Sequence, residues 1–542
     1  MSSSIELDRL IKEKTDSQNE NSTNISLTEN SNEEEEMLLN SNGSDLEING
    51  PNQVDNNNTK QEKPGADAKK KKYKIKPFWV CVSLVLFLIT YFIPILKYDA
   101  AAHKCLAILI FVVVMWSSEA VPLFVTSLFV PIPIIVFSVI LDDTGKPMNL
   151  IKASKIVSNS FFDPVILLFL GGFTMAHALQ KYNLSQRLAN FILKKAGTNP
   201  KRILAYVMLL SWFLSSWISN VASAVVTTSI LLPIIRNSIP HGDNFQKALL
   251  IGNALSNSVA GMNTLIASPQ NAIAIKVVKQ ISKHEMSIGF INWMGFGIPC
   301  SIVICTLVYL WILYVFPTKL KEIHLDIEKE PEMTKDQYII VITTIVTVLL
   351  MCVNSSIDKY VGDIGITALI PLVVFFGLGL LETQDLGELS WSVLLLIGGG
   401  LVLGDGVELS NLLHIISEAV GDLVASQSMW VICLAFMILA GSIGIAISST
   451  VCAVIILPVI GVVGHKYKHL ILLTSLVTSV ASGSTTLPIS SFPNSVAYAV
   501  LDKKGDQYLT VKDYLKSGSV SSFLTLVILV TIGYGINLKM GW

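Results

Sequence analysis

Charge is scarce in this chain. Asp, Glu, Lys and Arg make up 15% of its 542 residues, against 51% hydrophobic. A soluble domain carries roughly 25% charged residues, so a solvated globular surface over most of the length is excluded. The formal net charge of -1 gives the chain no general claim on nucleic acid. The eight histidines and seven cysteines are spread without metal-ligand spacing. Cys81, Cys105, Cys300, Cys305, Cys352, Cys433 and Cys452 all fall in apolar segments and read as small buried or lipid-facing residues. No nucleophile–base set stands out, which argues against an enzyme. No signal peptide is expected: about 75 polar residues come before the first apolar segment, which reads as a retained signal anchor.

What charge there is, is segregated. Residues 1–76 form a polar tail, expected to be cytosolic, and 1–68 are too poor in apolar side chains to fold. Within it, Glu34-x-x-x-Leu38-Leu39 and Glu6-x-x-x-Leu10-Ile11 have the form of acidic dileucine signals that a sorting adaptor reads, a pattern that chance also produces in acidic tails. Such a signal would direct the protein to endolysosomal or vacuolar membranes rather than the plasma membrane. Lys69 to Lys72, Lys74 and Lys76 sit directly before the first apolar run, which favours a cytoplasmic N-terminus.

Long apolar runs fill the rest. Spans are expected at Phe78–Leu96, Lys104–Trp116, Val121–Ile140, Val165–Leu179, Phe245–Val278 and Ile291–Phe316. After a loop at 317–337 come Tyr338–Val353, Ile364–Leu381, Val393–Val407, His469–Val500 and Val520–Ile536. Ile203–Ile235 and Trp430–Val463 have polar centres. Polar backbone cannot face lipid, so these two read as re-entrant hairpins, hairpin 203–236 and hairpin 430–463. The expected fold is therefore all-α and polytopic, with about eleven transmembrane helices plus two re-entrant hairpins. The halves are 77–316 and 338–542, with broken helices at 245–278 and 469–500. Counted from the start of one Gly-rich span to the start of the next, five crossings intervene, so the halves form inverted-topology repeats.

The halves repeat an unusual text. The first reads Leu170-Gly171-Gly172, Ser219-Asn220-Val221 leading to Leu232-Pro233, then Ser268-Pro269-Gln270-Asn271. The second reads Ile397-Gly398-Gly399-Gly400, Ser448-Ser449-Thr450 leading to Leu457-Pro458, then Ser491-Phe492-Pro493-Asn494. Helix breaks at mid-membrane free backbone carbonyls for a cation and helix N-termini for an anion. Ser, Asn and Thr add neutral oxygens that suit sodium. The same residues could serve only helix packing and kinks, but two copies in one order favour a site.

These motifs make the chain resemble the divalent-anion:sodium symporter family, which includes sodium-dicarboxylate, citrate and sulfate cotransporters. The resemblance covers roughly residues 78–540. It implies a homodimer with scaffold and elevator-like transport parts. Carried over by position, Ser219, Asn220 and Ala267 resemble one sodium site, and Ser448, Ser449, Thr450 and Ser490 the other. The anion would lie among Asn220, Val221, Ser268, Ser449, Thr450 and Phe492. Gly261, Asn263, Thr264, Asn271, Pro488 and Asn494 would support the helix breaks. Sodium is the only metal implied, and no other cofactor.

The departures shift the substrate. Val221 and Ser449 replace the tip Thr and Asn of the family, and Gln270 and Phe492 replace prolines. The pattern is most similar to the fungal low-affinity phosphate transporters of this family. Their long N-terminal phosphate-sensing SPX domain is not matched by the short polar tail. The expected function is sodium-coupled symport of an inorganic divalent anion, phosphate first, with di- or tricarboxylate (succinate, citrate) next and sulfate third. Asp163, Asp405, Glu408 and Glu119 read as loop or interface charges. His177, inside a span, reads as a packing residue or a proton-coupling group. No carboxylate sits in either repeated motif, which favours sodium over a proton relay.

Overall fold

The computed structural model describes residues 75–542 apart from 97–98, 284, 325–330, 417 and 419–426. The tail and both dileucine-like sequences lie outside the described residues. The described chain is helical, with only two isolated bridges, Leu141 with Pro147 and Leu501 with Gln507. Nine of its helices are long and apolar enough to cross a bilayer, so this is an integral, multi-pass membrane protein.

After α1 (Pro77–Phe92) the first half runs α2 (Ala100–Ser118), α3 (Leu123–Phe129), α4 (Pro131–Val136), α5 (Leu150–Phe161) and α6 (Pro164–Lys181). It continues α7 (Leu184–Lys194), α8 (Pro200–Ile218), α9 (Asn220–Pro233), α10 (Asn244–Ala260), α11 (Pro269–Ile281) and α12 (Phe290–Val315). The second half runs α13 (Lys335–Val361), α14 (Ile364–Thr367), α15 (Ile370–Gly377), α16 (Thr383–Glu388) and α17 (Trp391–Leu409). Then come α18 (Met429–Ala446), α19 (Ser449–Lys466), α20 (Leu470–Gly483), α21 (Phe492–Tyr498), α22 (Val511–Ile528) and α23 (Tyr534–Lys539).

Two expected spans are not single regular helices. Val121–Ile140 divides at Val130 into α3 and α4, and Ile364–Leu381 divides at Ala368–Leu369 into α14 and α15. Pro131 and Pro371 stand at the start of the second piece in each case, where a missing N–H costs nothing. The chain between Ile140 and Val165, given no span from sequence, carries α5, capped by the Asn149 side chain.

Packing repeats with the halves exchanged. The Gly-rich helix α6 packs on α14, and its counterpart α17 packs on α3. Helix α9 packs on α21, and α19 packs on α11. Glycines set the closest approaches. A Cβ on Gly171 would lie 2.0 Å from the Ala368 carbonyl oxygen, and one on Gly399 would lie 2.5 Å from Ser127. The glycine clusters, read from sequence as part of the helix-breaking pattern, are therefore inside unbroken helices. They let backbones of opposite halves touch.

Candidate functional site

Two tips and two breaks come together, each tip against the break of its own half. Helix α8 stops at Ile218 and α9 starts at Asn220, so the first tip is a single residue, Ser219. Its φ of +124° with ψ 140° is a conformation that side chains strain to adopt. The Ser219 hydroxyl helps hold it by accepting from the Val221 N–H at 3.2 Å. The second tip, Ile447-Ser448, is relaxed, with Ser448 at φ -55°. The interruptions expected at Gly261–Asn271 and Ser482–Asn494 fall at 261–268 and 484–491.

One hydrogen bond recurs in both halves. The Asn220 N–H donates to the Ala267 carbonyl at 2.8 Å, and the Ser449 N–H donates to the Ser490 carbonyl at 3.0 Å. Each carbonyl keeps a second lone pair. The asparagines after each break also act alike. Asn271 Nδ2 donates to the carbonyls of Gly261 and Thr264, both at 2.8 Å. Asn494 Nδ2 donates to those of Thr485 and Leu487 at 2.9 and 3.0 Å. All four carbonyls lie within the interruptions, where those of Thr264 and Leu487 also accept the Ala267 and Ser490 N–H groups. Asn263 and Thr264 reach Ser216 in α8, and the Pro488 carbonyl accepts from Ser495.

The anion-facing residues separate into two groups. Asn220, Ser268, Ser449 and Thr450 are each at most 9% exposed. Asn220 and Ser268 converge at Gly261, where a Cβ would sit 2.9 Å from Asn220 Nδ2 and 3.3 Å from Ser268 Cβ. Asn220 Oδ1, Ser268 Oγ and Asn263 Oδ1 are buried with no partner. Asn271 Oδ1, just after the break, is also without a partner; buried oxygens are seldom left so, and neutral oxygens are the kind of ligand a hard cation takes. Val221 is half-buried, and Phe492 is 46% exposed at the start of α21.

Charges read as loop or interface groups are partly internal. Lys276, on α11, is 3.5 Å from Asp405 and 3.7 Å from Asp163, and Ser160 also donates to Asp405. Together with Lys279, Gln280 and Glu408 they line a cavity of about 540 Å³. A second missed feature is the network Ser211–Asn253–Thr228, joined by Asn257 and Thr227, behind the first tip. Only the run of amides on α10 could have pointed to it.

His177 is hydrogen-bonded to Asp385 at 2.8 Å, and Lys181 takes the other Asp385 oxygen at 2.6 Å. Burial acts to raise the Asp385 carboxyl, but bonds from His177, Lys181 and the Glu382 N–H outweigh it and hold it down at about 2. His177, Asp385 and Glu388 lie close enough to share a metal ion, but the Lys181 ammonium already neutralises Asp385. The trio ties α6 to α16.

The chain is similar to known proteins. A family model described as citrate transporter matches residues 110–466 and 363–539. The inorganic phosphate transporter PHO87 of Saccharomyces cerevisiae is 37% identical over 81% of this chain and 47% of its own length. The low-affinity phosphate transporter PHO90 of that yeast is 36% identical over 86% of this chain and 52% of its own. The sodium-dependent dicarboxylate transporter SdcS of Staphylococcus saprophyticus is 28% identical over 79% of this chain and 85% of its own. The chain thus spans about half the length of the yeast relatives it matches. Among solved structures, the YdaH transporter of Alcanivorax borkumensis superposes with a TM-score of 0.53 at 12% identity, covering 78% of this chain and 99% of that one. By the match of its family model over most of the helical region, this chain belongs to the citrate transporter family, the divalent-anion:sodium symporters.

Proposed function

We propose that the protein is a secondary active transporter that moves an inorganic divalent anion, phosphate first, together with sodium. The carrying observation is the duplicated bond from tip to break, Asn220 to Ala267 and Ser449 to Ser490. It sets two helix N-termini and two interrupted backbones around one buried polar centre, the arrangement transporters use for a charged solute and its coupling ion. The unpartnered oxygens of Asn220, Asn263 and Ser268 suit sodium. Phosphate is favoured by the names of the two yeast relatives and by Val221, which offers the anion no hydroxyl. The dicarboxylate reading draws on the name of the Staphylococcus relative.

On this reading the pairs α8–α9 and α18–α19 are re-entrant hairpins, eleven other segments cross the bilayer, and the second half is inverted. The hairpins and broken helices form the moving part of an elevator in a homodimer. The N-terminus is cytosolic, in the plasma membrane or an endolysosomal or vacuolar one.

The test is uptake of labelled phosphate by proteoliposomes under an inward sodium gradient. Accumulation that collapses when choline replaces sodium is expected. Uptake indifferent to that exchange would remove the coupling. Competition by succinate or citrate stronger than by phosphate would move the substrate to carboxylates.

A further inference from the structure

The breaks of the two halves interlock. The hydroxyls of Ser258, at the end of α10, and Ser491, at the start of α21, meet at 2.8 Å. Gln270, the second residue of α11, donates Nε2 to Ser482, near the end of α20, at 2.6 Å. Its Oε1 accepts from the Thr450 hydroxyl at 3.5 Å, so one fully buried carboxamide also reaches the second tip. In the repeat, Gln270 corresponds to Pro493 and Thr450 to Val221. On one side the tip and the opposing break form a polar pair. At the corresponding positions of the other side, Val221 and Pro493 carry no polar side-chain group.

A threonine hydroxyl has one proton to give and two lone pairs. Once that proton goes to Gln270 Oε1, Thr450 has none for an anion, and its lone pairs are left for a cation. We propose that Gln270 is a positioning residue that fixes the polarity of the Thr450 hydroxyl, making Thr450 a sodium ligand and not an anion donor. The anion is then held by backbone N–H groups and by the amide of Asn220. The inference rests on the reading of the tips as the transport site, and it divides between cation and anion the duties that residue type alone leaves shared.

The experiment measures initial uptake in proteoliposomes with wild type, Gln270→Ala, Gln270→Glu, Thr450→Val and the double variant Gln270→Ala/Thr450→Val, varying sodium and phosphate separately. Gln270→Ala removes the bonds to Ser482 and Thr450, and through the loss of the Thr450 bond it is expected to raise the half-saturating sodium concentration roughly five- to tenfold, with the phosphate KM within about twofold at saturating sodium. Gln270→Glu keeps an acceptor for Thr450 and should recover most of the sodium constant. The double variant should match Thr450→Val alone, because the two residues act as one unit. A rise confined to the phosphate KM, no change in either constant, or additive effects would overturn the proposal. Sodium-independent uptake by the wild type would strike the transport reading instead. The additivity of the double variant, measured on whichever of phosphate, sulfate, succinate or citrate is taken up, then still decides whether Gln270 acts through Thr450.

Discussion

Lys276 holds its ammonium 3.5 Å from the Asp405 carboxylate, joining α11 of one half to α17 of the other at a place where both side chains are at most 10% exposed. With Asp163 also 3.7 Å away, one buried cation faces two carboxylates. Lys276→Met removes the cation and leaves the acids unpaired, which costs about 3–5 kcal/mol at such a buried pair. The thermal unfolding midpoint in detergent should fall clearly, and Lys276→Met/Asp405→Asn should recover part of the loss. A double variant no better than the single one would show that the pair contributes little.

Gly171 and Gly172 are adjacent in α6 but face different neighbours. A Cβ on Gly171 would overlap the Ala368 carbonyl at 2.0 Å, whereas one on Gly172 meets nothing nearer than Ile266 at 3.8 Å. Gly171→Ala is expected to destabilise by about 1–3 kcal/mol through overpacking. Gly172→Ala should be neutral or slightly stabilising, since alanine is the better helix former. Parallel unfolding curves of the two variants check this contrast.

Asn494 stabilises the second break as a donor. Asn494→Asp keeps the shape but cannot donate, so the Thr485 carbonyl loses its side-chain partner while the Leu487 carbonyl keeps the Ser490 N–H. The expected cost is about 1–3 kcal/mol for the one acceptor left buried and unpaired. The yield of monodisperse protein should drop as far with Asn494→Asp as with Asn494→Ala. Full recovery by Asp would mean that shape alone matters there.

Asp385 makes stability depend on acid. Its folded carboxyl titrates at about 2, below the usual value near 4 for a free aspartate. A depressed carboxylate stabilises the fold fully above the unfolded value, and the contribution is lost as pH falls from about 4 toward 2. The unfolding midpoint of the wild type should therefore drop more steeply across that window than that of Asp385→Asn. Identical slopes would show that the bonds from His177 and Lys181 do not favour the charged form.

Much of the architecture was legible because the membrane makes polar residues conspicuous. Ser219, Ser268, Ser448 and Asn494 interrupt apolar runs, and an apolar solvent tolerates a break only where protein covers it. The interruptions consequently fall inside the windows marked by those residues. The glycines misled, because Gly171 in a kink and Gly171 under a neighbouring carbonyl look the same in one dimension. Asp405 misled as well, since its partner Lys276 belongs to the other half and no local spacing links them.

The sequence by itself determined a polytopic helical membrane protein written twice, with polar tips and breaks in matching order. That follows from hydropathy and local backbone chemistry, which act along the chain. The tertiary structure alone decided which oxygens face one another: Asn220 beside Ser268, and Thr450 against Gln270. The first pairing arises from packing within one half and the second from packing across the two, and distances between helices far apart in sequence are set by how side-chain volumes fit.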